Sequence, residues 1–199
     1  MLISRYLISD YIKLTSDGLY DDNDLNECIK RCEVIDFHQS MEFNGIKFTP
    51  YPAGHVLGAA MFEVEIDGVR VLYTGDYSME EDRHLSGAKI CCEEPDLLIV
   101  ESTYGTQHHA SIEERESRFT KNIEDIVRRG GTCLIPVFAL GRAQELLLIL
   151  EEYWRSSPDL QDIPVYYCSR LASKALHIYQ TFVNMMNTHI RQISDIGNP

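Results

Sequence analysis

The sequence predicts an α/β protein in two units, with a boundary near Gly105. Three observations lead there. Residues 34–75 alternate apolar and polar positions around two turn dipeptides, Asn44-Gly45 and Asp67-Gly68, and such dipeptides between apolar runs are strong hairpin signals because both positions tolerate positive φ. Beyond Glu101 the period changes to 3.6, and apolar runs alternate with helical segments, the sequence form of a parallel α/β sheet. The segment before Val34 is helical in period, so the strand-rich layer is preceded by helices.

Taken in order, residues 2–14 repeat apolar positions at helical spacing, and a short helix is expected from Leu25 to Cys32 after the Asp-rich stretch at 21–24. The strands expected next are VIDF, MEF, IKFTPY, MFEVEI and VRVLYTG. In the second half the expected order is a helix over 112–129 stopped by Gly130-Gly131, the strand CLIPVFAL, a helix from Arg142 to about Trp154, the strand IPVYYC, and a helix across 171–191. Repeats and low-complexity segments are absent, and ISDIGNP closes without a cap, as if cut from something longer.

Composition narrows the functional classes. Of the 199 residues, 44% are hydrophobic and 25% charged, values of an ordinary globular protein. Lys and Arg number 18 against 31 Asp and Glu, a net charge of −13, which argues against nucleic-acid binding through a broad basic face and confines any such role to a localised site. No apolar run approaches the roughly 20 residues of a membrane helix, so no membrane partner is expected. Arg5, Asp10 and Lys13 interrupt the amino-terminal apolar pattern, which argues against secretion. Cysteines at 28, 32, 91, 92, 133 and 168 lack the spacing of a disulfide scaffold and fit a reducing compartment. Cys28 and Cys32, with His38 beyond, suggest a structural zinc only in part, since no second pair completes the set; buried thiols are the plainer reading.

Three residues carry candidate chemistry. His55 stands in the Gly-rich segment AGHVLG, Asp76 ends VRVLYTGD and Glu101 ends DLLIVE. Strand ends deliver side chains to one rim, where a His, an Asp and a Glu can form a metal or acid–base site. Gly54 and Gly58 would permit close backbone approach around His55. Each residue also has an ordinary role open to it, as backbone partner, turn residue or cap. Arg142, opening GRAQELLL, either offers a helix start to phosphate or pairs with Glu145. The acidic runs at 21–24, 80–82 and 113–116 read as solvated faces and helix starts, and His108-His109 as an exposed loop pair. Signatures of P-loops, dinucleotide folds and serine hydrolases are missing.

The flanking letters tip the balance. YPAGHVLGAAMFEVEIDGVRVLYTGDYSMEEDRHL, PDLLIVESTYGT and RGGTCLIPVFALGRAQELLLILEEYW resemble the metallo-β-lactamase/β-CASP nucleases, most closely those of eukaryotic cleavage and polyadenylation. The Integrator-type endonuclease is the nearest competitor, and DLQDIPVYY and YQTFVNMMN favour the cleavage-factor branch.

The resemblance implies an α/β fold made of a partial αββα metallo-β-lactamase sandwich over residues 1–105 and part of a β-CASP parallel α/β domain over 106–199. It implies two zinc ions and hydrolysis of pre-mRNA in the nucleus, alongside other subunits of the cleavage and polyadenylation complex. His55 matches a zinc-binding motif, and Asp76 matches the motif whose carboxylate bridges both ions. Glu101 matches a catalytic carboxylate that orients a histidine and is not itself a ligand. Paired divalent ions would also place positive charge where an acidic protein must hold phosphate.

The departures are as informative. The family's H-x-H-x-D-H motif does not occur in this chain, and none of His38, His84, His108, His109, His177 and His189 has the spacing to replace it. The expectation is therefore an internal stretch of a metal-dependent RNA endonuclease, inactive alone. A non-catalytic scaffold subunit of the same fold is the alternative, and the retention of His55, Asp76 and Glu101 favours an active parent.

Overall fold

The computed structural model describes residues 2–15, 18–89, 94–138 and 141–196. Helix α1 spans Leu2–Leu14, and Ile3 and Tyr6 on one of its faces pack against the largest apolar cluster. Helix α2 spans Asp22–Lys30, starting three residues before the expected Leu25 because the acidic run makes its cap. The Asp21 carboxylate accepts from the N–H of Asn23 and Asp24 at 2.7 and 3.0 Å, and Asp24 returns a bond from the Asp21 N–H at 3.0 Å, a reciprocal capping box.

Strands β1 (Met41–Phe43), β2 (Ile46–Pro52), β3 (Ala60–Ile66), β4 (Val69–Tyr73) and β5 (Leu97–Ile99) form one sheet in sequential order. The first four are antiparallel, with Phe43 opposite Ile46 and Ile66 opposite Val69 across the two tight turns. Both residues of each turn have positive φ, 53° and 79° at Asn44-Gly45 and 50° and 80° at Asp67-Gly68, as the dipeptides predict. Strand β5 joins β4 in parallel, pairing Val71 with Leu97 and Tyr73 with Ile99. Because β2 and β4 share a direction and β5 follows it, the carboxyl ends of all three lie along one edge. VIDF, at 34–37, forms no ladder.

Helices α3 (Ile112–Arg128), α4 (Arg142–Ser156), α5 (Arg170–Thr181) and α6 (Thr188–Ile196) make up the second half. Ser111 caps α3 through the Glu114 N–H at 3.2 Å, and the Gly131 N–H closes on the Ile126 carbonyl at 2.9 Å. The helix expected across 171–191 is broken at Phe182, where a 3₁₀ turn (Val183–Met185) intervenes. Asn187 then restarts it by accepting from the Ile190 N–H at 3.0 Å. The strands expected at 133–140 and 163–168 do not form: residues 133–138 and 163–168 have no ladder, and 139–140 lie outside the described residues. An apolar run becomes a strand only with a neighbour to bond, and here Leu134, Phe138 and Tyr166 stay exposed. One five-stranded sheet is thus present among the described residues.

Three apolar clusters hold these elements. Leu57 and Leu85 meet Ile178, Tyr179, Met186 and Ile190, so this cluster draws from both sides of Gly105. Ile123, Leu150, Trp154 and Leu160 join α3 to α4, with the Trp154 indole donating to the Ile163 carbonyl at 3.2 Å. Ala53, Met61 and Ala88 close the sheet edge that bears the candidate residues. The thiols at 28 and 32 are exposed, not buried; Cys32 Sγ lies 3.4 Å from the Cys28 carbonyl. His38 packs edge-on against Tyr51 instead of joining them. Cys91 and Cys92 lie outside the described residues.

Candidate metal centre

His55, Asp76 and Glu101 each follow a strand that ends at the common edge, two or three residues beyond the last paired position of β2, β4 and β5. His55 sits in a turn forced by its neighbours. Its own φ is +51°, a left-handed conformation that costs a residue with a Cβ roughly 1–2 kcal/mol and is common at functional positions. Gly54 holds the turn against the loop after β4: a Cβ there would lie 2.6 Å from the Ser78 carbonyl oxygen. Gly58, by contrast, has open space around it and is needed for its φ of +83°, so only one of the two glycines provides a close approach.

The loop after β4 is tied to the same turn. The Ser78 N–H donates to the Ala53 carbonyl at 2.9 Å, and the Ala88 N–H returns to the Ser78 carbonyl at 2.7 Å. Tyr77 packs on Ala53, Met61 and Ala88, which anchors the residue next to Asp76. The result brings His55 Nε2 within 3.8 Å of Asp76 Oδ2, with the side chains 41% and 70% exposed. Glu101 closes the group from β5: Oε1 accepts from the Tyr77 N–H at 3.4 Å and Oε2 from the Thr103 N–H at 3.3 Å. Hydrogen bonds from the Thr103 side chain and the Tyr77 backbone, with His55 nearby, hold its carboxyl below the usual glutamate range. Glu101 is therefore an ionised brace on the residue after Asp76.

Donor chemistry and spacing fit a metal as far as they go. Two donors on one zinc-sized ion at bonds of about 2.0–2.2 Å stand roughly 3.3–3.5 Å apart at a tetrahedral angle, a small closure from 3.8 Å. An imidazole nitrogen and a carboxylate oxygen are both ligands such an ion accepts. No cluster of three or more His, Cys, Asp and Glu suited to a metal occurs among the described residues, so the pair is a partial ligand set. An apolar groove of about 510 Å³ on α4, lined by Leu147, Leu150, Trp154 and Val165 among others, includes none of the three site residues.

The remaining candidates separate. Arg142 pairs with Glu145 at 2.8 Å, the pairing alternative. His108 and His109 are exposed, and His109 meets Tyr104 edge-on. The run at 80–82 is not wholly solvated: the Asp82 carboxylate is 14% exposed, 3.0 Å from Nδ1 of the buried His84. The signal for it was present, since the acidic letters of EEDRHL run directly into an Arg, a His and an apolar Leu, but a charged run reads as surface until packing shows otherwise.

Comparison with known proteins agrees with this architecture. The family description "Metallo-beta-lactamase superfamily domain" matches residues 1–101, and "Beta-Casp domain" matches residues 143–198. The chain belongs to the metallo-β-lactamase superfamily, whose membership implies a metal cofactor, and it carries a β-CASP segment as well. It is 53% identical over 99% of its length to the Drosophila melanogaster cleavage and polyadenylation specificity factor 73, and 55% identical over 99% to the Arabidopsis thaliana cleavage and polyadenylation specificity factor subunit 3-I. It is 54% identical over 96% to the endoribonuclease YSH1 of Yarrowia lipolytica. The chain spans 24–29% of the length of these relatives.

Proposed function

We propose that this chain is an internal stretch of a zinc-dependent endoribonuclease that cleaves pre-mRNA ahead of polyadenylation, acting in the nucleus with other subunits of a processing complex. The observation that carries the reading is the approach of His55 Nε2 to Asp76 Oδ2 at 3.8 Å on a rim braced by Glu101. The names of relatives more than 50% identical, an endoribonuclease and cleavage and polyadenylation factors, support the substrate and the setting. The same reading takes the boundary between the metallo-β-lactamase and β-CASP parts near Gly105, and matches over residues 1–101 and 143–198 support it.

In this reading His55 and Asp76 are the residues of this chain that would hold zinc. When bound there, the metal would lower the pKa of water and neutralise charge on the phosphate oxygens. The chain's own contribution is positional. The left-handed turn at His55 aims its imidazole across the strand edge, and the ionised Glu101 holds the Tyr77 N–H and so the direction of the preceding Asp76. A protein of net charge −13 lacks a broad basic surface, and positive charge localised beside His55 and Asp76 would let it receive a polyanion there.

Two protein donors bind zinc weakly, because a tight site takes three or four on a rigid frame. Elemental analysis after dialysis is therefore expected to find this chain largely metal-free and without nuclease activity, and the full-length protein to carry two zinc ions and cut RNA. His55→Ala or Asp76→Ala in the full-length protein is expected to remove cleavage. Near-stoichiometric zinc in the isolated chain, or undiminished cleavage by the full-length Asp76→Ala protein, would overturn the reading.

A further inference from the structure

The loop that carries Asp76 ends, six to eight residues later, in three residues whose side chains or backbone carbonyls meet α3, α4, α5 and Asn187, the residue ahead of α6. Arg83 is a fork: Nε and Nη2 donate to the two carboxylate oxygens of Glu116 on α3 at 3.1 and 2.5 Å, and Nη1 donates to Glu152 on α4 at 2.5 Å. The side chain of Glu116 is only partly exposed, so the bidentate pair is shielded from the screening that weakens surface ion pairs. Next in sequence, His84 is 2% exposed, with its ring 5.5 Å from that of Tyr179 on α5.

Its backbone is fixed from both sides. The Asp82 carboxylate accepts from the N–H of His84 and Leu85 at 2.8 and 2.7 Å, while Asn187, ahead of α6, donates its backbone N–H to the His84 carbonyl at 2.9 Å and its side-chain amide to the Asp82 carbonyl at 3.1 Å. Leu85 then enters the apolar cluster with Ile178, Tyr179, Met186 and Ile190. Towards its start the same loop is bonded to the His55 turn by the Ser78 N–H donating to the Ala53 carbonyl, and the Ala88 N–H beyond Leu85 closes back on the Ser78 carbonyl.

We infer that Asp82, Arg83 and His84 are positioning residues that set the orientation of helices α3–α6 relative to the candidate metal ligand Asp76. The short loop leaves little slack between the two ends. A shift of α3 and α4 pulls on Arg83, a shift of α5 and α6 pulls on Asp82 and His84, and both are transmitted to the turn that bears Asp76 and the brace on Tyr77. This inference rests on the proposed nuclease function for its catalytic consequence, but the mechanical link itself is a property of this chain. None of the three touches the rim where His55 and Asp76 meet, so their effect is on alignment.

The link is tested first without reference to activity. Hydrogen exchange at the Ser78 and Ala88 amides of this chain is expected to accelerate about tenfold or more in Arg83→Ala and in Asn187→Ala, while Leu160→Ala, which weakens a different cluster, leaves it unchanged relative to global opening. In the full-length protein the same two substitutions are expected to lower kcat for RNA cleavage roughly ten- to a hundredfold, the scale of a small misplacement, with zinc content retained and KM little changed. Arg83→Lys, which keeps the charge and loses the fork, is expected to recover only part of the rate. Unchanged exchange in both variants would overturn the link. Normal exchange coupling with no zinc or cleavage in the unsubstituted full-length protein would remove the nuclease reading and leave the link standing. Loss of kcat matched by Leu160→Ala at equal stability would reduce the three residues to ordinary packing.

Discussion

The side-chain amide of Asn187 donates to the backbone carbonyl of Asp82 at 3.1 Å, across 105 residues of chain. One side chain thereby serves two elements, since its carbonyl also caps the last helix through Ile190. It ties the start of α6 to the loop that begins at the candidate metal ligand, and several consequences of that closeness are measurable.

Gly54→Ala tests the approach of the His55 turn to the β4 loop. The new methyl would stand 2.6 Å from the Ser78 carbonyl in a residue whose φ is +67°, and the left-handed conformation alone costs about 1–2 kcal/mol. With the clash added, urea unfolding is expected to show a loss of roughly 2–4 kcal/mol. A variant as stable as the parent would mean that the turn is free to move away.

Leu160→Ala tests the second cluster. Leu160 is 1% exposed and packs with Ile123, Leu150 and Trp154, so its truncation is expected to cost about 2–5 kcal/mol. Trp154 fluorescence should report the altered packing. A loss under about 0.5 kcal/mol, the range of surface substitutions, would place Leu160 outside a packed core.

Acid should act through Asp82. Burial pushes this carboxyl up, but the His84 ring and the backbone N–H groups of His84 and Leu85 outweigh it and hold the group below its ordinary 3.8. A carboxyl depressed on folding contributes stability that is present above its unfolded value and disappears as pH falls through the folded value. Unfolding free energy measured from pH 5 downward is therefore expected to fall less steeply in Asp82→Asn than in the parent. Parallel slopes would refute the assignment.

Base should act through Tyr179, whose phenol is pushed by burial from 10.0 up to about 12. Its neutral form is favoured in the folded state, so the associated stability is intact below pH 10 and is lost as pH rises towards 12, by roughly 3 kcal/mol in all. Tyr179→Phe is expected to flatten the alkaline limb of the stability profile between those values. An unaltered limb would show that the phenol reaches water.

Much of this protein was legible in its letters because the relevant physics is local. Asn44-Gly45 and Asp67-Gly68 specify their turns through backbone freedom, the period of residues 2–14 and 112–128 specifies α1 and α3, and the runs ending in His55, Asp76 and Glu101 announce strand ends. Where the reading failed, the missing information was a neighbour. The apolar segments at 133–138 and 163–168 look like strands, but a strand exists only when another lies beside it to take its hydrogen bonds. The helix through 171–191 is periodic enough to continue, yet it ends at Thr181, and a new one starts after Asn187, whose amide bonds to a loop 105 residues away. Asp82 and Glu116 read as solvated charge, and only the arrival of His84 and Arg83 turned them inward. What the sequence determined alone was the set of elements and the kinds of side chain at their ends. Tertiary structure decided which of those ends meet, because contact between distant residues depends on how whole elements pack and leaves no mark in the spacing of neighbours.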